Sequence, residues 1–209
     1  TLLKNNVEGH VHFDSYTRGR YSTDASIYQI APFGVVVPKT TQDLVSAVEI
    51  AAEHNIPILS RGGGTSQCGQ TVNEAIVIDC SQYLNKIVNF DYENMRISVE
   101  PGIVLDHLNS YLKPHNLFFP VDISTASRAT IGGMTANNSC GGRSIRYGIM
   151  VDNVHSIDAL LINGEHARFS DTPSDIRHID GTKHYRQLVS SVREIAEREK
   201  SALETYFPK

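Results

Sequence analysis

The chain has few cysteines, no long apolar run and no basic cluster, and each shortage removes a class of protein. Cys68, Cys80 and Cys140 are its three cysteines among 209 residues. They form no CxxC pair and are odd in number, which suits a reducing compartment better than a disulfide framework. Nor can they supply the closely spaced thiolates of an iron–sulfur cluster. The longest apolar stretches, such as Val35-Val36-Val37 and Ala159-Leu160-Leu161-Ile162, fall far short of the roughly 20 residues that span a bilayer. Residues 1–6 lack the basic start and the roughly 7–15-residue apolar run of a secretory signal, so none is expected to head the chain. A net charge of −4 without clustered Lys or Arg argues against a nucleic-acid surface. The cytoplasm is the default compartment. A hydrophobic content of 40% is enough for a buried core in one domain or two small lobes.

What is present is glycine in two places. Gly62-Gly63-Gly64-Thr65-Ser66 directly follows the apolar run Ile56-Pro57-Ile58-Leu59. Glycine reaches positive φ at no steric cost, so successive amides can converge on a phosphate while Thr65 and Ser66 add hydroxyl donors. The ligand expected is a phosphorylated cofactor. A nucleotide triphosphatase loop is excluded, because it ends in Gly-Lys-Ser/Thr and no lysine lies between Lys39 and Lys86. A Rossmann fingerprint begun at Gly62 or Gly63 puts its third glycine at Gln67 or Cys68, and fails too. The second segment, residues 120–148, reads PVDISTASRATIGGMTANNSCGGRSIRYG. Its Ile131-Gly132-Gly133-Met134 permits close approach to a flat ligand, and Asn137 and Asn138 supply amides.

RGGGTS, followed about seventy residues later by TIGGM, NNSCGG and RYG, resembles the FAD-binding domain of the vanillyl-alcohol oxidase and p-cresol methylhydroxylase (PCMH) superfamily. Within it the likeness is to the branch of D-lactate dehydrogenases, the glycolate oxidase flavoprotein subunit and D-2-hydroxyglutarate dehydrogenase, and it covers roughly residues 32–170. The resemblance implies that Arg61, Gly62, Gly63, Gly64, Thr65, Ser66, Gln67 and Gly69 surround the FAD pyrophosphate. It implies that Pro120, Asp122, Ser124, Thr130, Gly132 and Gly133 line the rest of the flavin, with Asn137, Asn138, Gly141, Gly142 and Tyr147. Some relatives attach FAD covalently through a loop histidine or a cysteine near the second segment. Gly64-Thr65 carries no histidine and residues 119–124 no cysteine, so the expected flavin is non-covalent. Cys140 is expected as a small buried residue near the ring.

Periodicity supplies the frame. Val35-Val36-Val37 predicts a buried strand, and Thr40-Thr41-Gln42-Asp43 opens a helix with a hydroxyl cap. Leu44, Val48 and Ala51, widened by Val45 and Ala52, make its apolar stripe. Ile58-Leu59 is the next strand and residues 75–79 a third. Residues 86–90 and 96–100 pair across a turn at 91–94. Val104, Leu105, Leu108 and Leu112 make a helix stopped by Pro114. Residues 156–162 and 165–169 flank Asn163-Gly164, a two-residue hairpin signal, and residues 185–206 form an amphipathic helix that covers the sheet or docks a partner domain. The fold class expected is α+β: a two-lobed PCMH-type domain, with a small parallel βαβ lobe, a larger mixed or antiparallel lobe and FAD between them. Its parts are an N-terminal extension at 1–31, a first lobe at 32–100 and an incomplete second lobe at 101–209.

His10-Val11-His12 lacks the further ligands of a metal site, and no Gly-x-Ser-x-Gly supports a serine hydrolase. The function expected is the FAD-binding portion of a flavin-dependent oxidoreductase acting on a 2-hydroxy acid of the D-lactate, glycolate or D-2-hydroxyglutarate type. The alternatives are another substrate, such as an alcohol or a sugar lactone, or a non-catalytic nucleotide-binding module. Electrons are expected to leave to a quinone, a cytochrome, an electron-transfer flavoprotein or an iron–sulfur module outside this chain, which places the protein in the cytoplasm or at the periphery of a membrane. Relatives continue into a further flavin-contacting segment and a substrate-binding cap absent here. The chain is therefore expected to be C-terminally truncated and inactive alone, with no catalytic residue assignable.

Overall fold

In the computed structural model, which describes residues 2–207, the chain opens with α1 (Leu2–Asn6), β1 (His10–His12) and α2 (Ser15–Arg20). The fully buried Gly34–Val37 forms β2. Thr40 then caps α3 (Thr41–Glu53): its hydroxyl accepts the Asp43 amide while the Asp43 carboxylate accepts the Thr40 amide. Asp43 also accepts the amides of Glu8, Gly9 and Lys39 at 2.8, 3.0 and 2.8 Å. One buried carboxylate thus fixes both the helix start and the course of the N-terminal segment. The stripe of α3 is narrower than its pattern predicts, with Ala47, Val48 and Ala51 buried and Leu44 and Val45 half-buried.

Strands β3 (Ile58–Arg61) and β4 (Ile76–Asp79) complete a four-stranded sheet of order β1-β2-β4-β3. β1 is antiparallel to β2, and the other pairs are parallel. Every residue of β2 and β4 is buried, as expected of parallel strands covered on both faces. Val35, Val37 and Val77 pack together with Tyr21, Leu59 and Tyr83. The register pairs Arg61 with Asp79, so β3 and β4 end side by side. The glycine loop leaves from that end.

A second core gathers around β5 (Ile87–Asp91), β6 (Arg96–Val99) and α4 (Leu105–Leu112). Met95, at φ 50°, closes the hairpin turn. Leu105, Leu108 and Leu112 bury their stripe with Val121, Ile131, Met134 and Met150, and Ile87, Phe90, Ile97 and Val99 of the hairpin pack on the same cluster. Pro114 does not end the chain's helical course outright. It sits in a 3₁₀ turn, Lys113–His115, and Asn116 at φ 58° makes the stop. Short helices α5 (Ile131–Ala136), α6 (Ser144–Tyr147) and α7 (Met150–Asn153) follow.

The described residues up to Val154, with Ile162–Gly164, form one compact unit; His155–Leu161 and the residues from Glu165 onward form another. The latter holds β7 (Ile157–Leu160), β8 (His166–Phe169), α8 (Lys183–Arg198) and α9 (Lys200–Tyr206). Strand pairing stops at Leu160 and His166, and the Leu161 amide donates to the Glu165 carbonyl at 2.8 Å. Gly164, at φ 82°, takes the left-handed position of a three-residue connection, so the two-residue turn read from Asn163-Gly164 is not formed. The single helix expected at 185–206 is two, with Glu199 between them. Tyr185 and Val189 pack with Ala167, Phe169 and Ile179, whereas Val192 and Ile195 remain exposed.

Candidate functional site

The last rung of the β3–β4 ladder is the Cys80 amide donating to the Arg61 carbonyl at 3.1 Å. Beyond it the chain turns out of the sheet through Gly62, Gly63 and Gly64, the last at φ 63°. A Cβ on Gly62 would fall on the Thr130 hydroxyl and one on Gly63 on the Arg128 carbonyl. The glycines thus let the first loop lie directly on the second segment. Thr130, buried, caps α5 by accepting the Gly133 amide at 3.3 Å.

Between these two backbones lies an open cleft of about 280 Å³. One wall is Gly62 to Cys68 with Gln70 and Thr71. The other is Ile123, Thr125, Ala129, Thr130, Gly133, Met134, Asn137, Ser139 and Cys140. Among the described residues no charged side chain lines it. Among the described residues, the amides of Gly62 through Gln67 donate to no protein acceptor. These N–H groups and the Thr65 and Thr125 hydroxyls make a neutral donor set suited to an anion held by dipoles, beside the Asn137 amide, which donates one hydrogen to the Gly133 carbonyl at 3.2 Å. At Gly133 a Cβ would meet only the Thr130 hydroxyl, at 3.2 Å.

Of the residues that the sequence assigns to the cofactor, Gly62, Gly63, Gly64, Thr65, Ser66, Gln67, Thr130, Gly133 and Asn137 line this cleft, and the others do not. Arg61 turns away, donating to the carbonyls of Tyr21, Thr23 and Thr71. Gly69, at φ 72°, packs against the Tyr28 ring. Gly132 lies on Pro101, its amide donating to the Pro101 carbonyl at 2.8 Å. Asp122 accepts the Arg143 amide at 2.8 Å, and its carbonyl occupies the place of a Cβ on Gly141. A Cβ on Gly142 would sit 3.7 Å from the same carboxylate. Asn138, at φ 47°, accepts the Val151 amide at 2.9 Å. Tyr147 packs edge-on to Phe118, with ring centroids 5.7 Å apart. Pro120 is half-buried and Ser124 exposed, and neither lines the cleft.

Sequence reasoning missed Cys68, Gln70, Thr71, Ile123, Thr125, Ala129, Met134 and Ser139 as lining residues. For Met134 a signal existed, because 130, 133, 134 and 137 share one helical face. Cys140, expected buried, is exposed and lines the cleft. The most enclosed of the three thiols is instead the half-buried Cys80, its pKa pushed up to about 11 by burial and by the charge of Asp79. Behind the loop, Tyr21 donates to Asp79 at 2.6 Å; burial first, and then that bond, push its phenol up to about 12.

Residues 32–170 match the family model described as an FAD binding domain. The chain is 34% identical over its whole length to D-2-hydroxyglutarate dehydrogenase of Pseudomonas putida, of which it covers 21%. It is 35% identical, over 76% of its length, to glycolate oxidase subunit GlcD of Bacillus subtilis, covering 35% of that protein. A solved structure of alkyldihydroxyacetonephosphate synthase superposes on 86% of the chain with a TM-score of 0.68 at 21% identity, a likeness of fold alone, and 33% of that structure is covered. The chain thus spans between about a fifth and a third of the length of these proteins.

Proposed function

The chain belongs to the FAD binding domain family, and from that premise we propose that it is the cofactor-holding part of a flavin-dependent oxidoreductase acting on a 2-hydroxy acid. The observation that carries this reading is the cleft itself, where two glycine-rich segments meet and neutral donors, with no carboxylate, face one space. Its volume of about 280 Å³ lies at the small end of ligand sites, which run to roughly 1,000 Å³. It suits the phosphate-bearing middle of a dinucleotide rather than the entire molecule. The amides from Gly62 to Gln67, with the Thr65 hydroxyl, hold the pyrophosphate, while the Ser66 hydroxyl braces the loop by donating to Gln70 and accepting the Cys68 amide. Gly133 and Asn137 face the next part of the cofactor, and Asp122, Gly141, Gly142 and Tyr147 shape the turn behind it. In this reading the two packed cores correspond to the two lobes of the PCMH-type domain, with the hairpin at 87–99 giving its apolar face to the second.

Bound FAD would supply the acceptor, at its N5 atom, for the hydride leaving the substrate's carbinol carbon while a base takes the hydroxyl proton. Among the described residues no side chain lining the cleft is a carboxylate, histidine or lysine, and the base is assigned to none of them. The relatives named D-2-hydroxyglutarate dehydrogenase and glycolate oxidase subunit support a 2-hydroxy acid as substrate. The absence of a Rossmann fingerprint favours a quinone, a cytochrome, an electron-transfer flavoprotein or an iron–sulfur module over a nicotinamide as the final acceptor. Among the described residues no helix is long and apolar enough to cross a membrane. Three free thiols favour the cytoplasm, with any membrane association made through the electron acceptor.

The test uses the full-length protein. The purified protein should show flavin absorbance, release FAD intact on acid precipitation, and bleach anaerobically with one or more of a panel of D- and L-2-hydroxy acids. Flavin that stays with the precipitate overturns the non-covalent assignment. Bleaching by no acid in the panel removes the substrate class, and rapid stoichiometric reoxidation by NAD or NADP removes the acceptor assignment.

A further inference from the structure

Residues 21–30 fold back on themselves ahead of the stretch matched by the family model. The Ile30 amide donates to the Ser22 carbonyl at 2.9 Å, and Ser22 is buried beneath the bend. From this bend a series of contacts runs to the glycine loop. At the loop's crest, the Ala25 amide donates to the Gly64 carbonyl at 3.1 Å. At its end, the Asp24 carboxylate accepts the Thr71 hydroxyl at 2.9 Å and the Thr71 amide at 3.4 Å, while its other oxygen accepts the Ser26 amide at 2.8 Å. At its start, Arg61 reaches back to the Thr23 carbonyl at 2.8 Å and the Tyr21 carbonyl at 3.4 Å, with its guanidinium 5.2 Å from the centroid of the Tyr21 ring. The ring of Tyr28 fills the place a side chain on Gly69 would need.

We infer that residues 21–28 are a strap that sets the position of the glycine loop, with Asp24 and Arg61 as its positioning residues. The inference rests on the reading of that loop as the phosphate cradle for FAD. Ordering a backbone costs roughly 1–2 kcal/mol per residue, and glycine has the most freedom to lose. The loop's own backbone supplies little of that ordering, since its amides from Gly62 to Gln67 are uncommitted and its internal bonds are those of Ser66 with Gln70 and with the Cys68 amide. The strap supplies it at start, crest and end, through the Arg61 side chain, the Gly64 carbonyl and Thr71, and takes none of the amides of Gly62 to Gln67. Asp24 stays ionised in this position, because hydrogen bonds from Ser26 and Thr71 outweigh the burial that disfavours its charge and hold its pKa below the ordinary value. Linkage adds a consequence, because a strap that tightens FAD binding must itself be tightened by FAD to the same degree.

Two measurements on the full-length protein decide the matter. FAD affinity of the apoprotein is measured for the parent, Asp24→Ala, Thr71→Val and the double variant. Each single change is expected to weaken binding about tenfold, the loss of one charge-assisted hydrogen bond, and the double little more than either. Amide hydrogen exchange across residues 21–28 is followed with and without saturating FAD, and FAD is expected to slow it in the parent and not in Asp24→Ala. Unchanged affinity in Asp24→Ala, fully additive single effects, or exchange in the parent that FAD leaves unaltered overturns the strap. If Asp24→Ala does not fold, the exchange measurement on the parent still decides. A parent that binds no FAD at all overturns the cradle reading instead, which separates the two failures.

Discussion

The backbone of Gly62 lies so close to Thr130 that a Cβ on the glycine would fall on the threonine hydroxyl. Two segments about seventy residues apart therefore touch, Gly62 against the Thr130 side chain and Gly63 against the Arg128 carbonyl, and a side chain in the first loop parts them before it reaches any ligand. Gly63→Val, with the Arg128 carbonyl in its way, should lower the stability of the apoprotein by about 1–3 kcal/mol, the range for overpacking, and abolish FAD retention. Urea unfolding without FAD checks this. An apoprotein as stable as the parent would contradict the close approach.

Gly133 gives the opposite case. Its nearest neighbour for a Cβ is the Thr130 hydroxyl at 3.2 Å, which can give by a few tenths of an ångström, and alanine favours the helix in which it sits. Gly133→Ala should stay within about 1 kcal/mol of the parent in stability while its methyl group enters the cleft and weakens FAD. Titration with FAD beside thermal unfolding separates the two effects. Loss of stability without loss of affinity would mean that this face does not meet the cofactor.

Tyr21 sets an alkaline limit. Its phenol is pushed up to about 12, by burial first and by Asp79 second, whereas an unfolded chain titrates near ~10. The folded state thus favours the neutral phenol. That contribution is fully present below about pH 10 and is lost as pH rises through about 12. Tyr21→Phe should cost about 1–3 kcal/mol at neutral pH, since a buried carboxylate loses a donor, and should flatten the decline between pH 10 and 12. Unfolding midpoints at pH 7 and pH 11 test it, and parallel losses in parent and variant would refute the assignment.

The three thiols should divide by place. Cys68 and Cys140 are exposed on opposite walls of the cleft, and Cys80 is half-buried with its pKa raised to about 11. Peptide mapping after brief treatment with a thiol reagent at mildly alkaline pH should find the first two modified, FAD protecting both, and Cys80 untouched. Modification of Cys140 at the same rate with and without FAD would place the cofactor elsewhere.

Strands and caps were legible because their causes are local. The valine run at 35–37 and the Thr40–Asp43 pair specify structure within a turn or two, and both formed as expected. The glycines were legible only by half. Their pattern says that something must approach closely, yet it cannot say what. At Gly62, Gly63, Gly132 and Gly141 the visitor is this chain's own backbone or side chains, whereas Gly133 alone of the second segment's glycines opens to the cleft. Arg61 misleads for the same reason: beside a phosphate loop a guanidinium reads as an anion ligand, and only the carbonyls of Tyr21 and Thr23, some forty positions earlier, show where it is spent. The contacts of residues 21–28 leave no local signature. Nothing in Asp24 itself points to Thr71.

The strand order β1-β2-β4-β3 also bears on how the molecule is made. The strand that joins β2 to β3 is the last of the four to be synthesised. While the ribosome is still short of Asp79, β2 can pair with β1 only, and β3 has no mate at all. At roughly 5–20 residues per second the interval from Val37 to Asp79 lasts a few seconds, during which the valine-rich edge of β2 stands open to whatever other strand is near. The sheet, and with it the platform of the glycine loop, is completed in one late step.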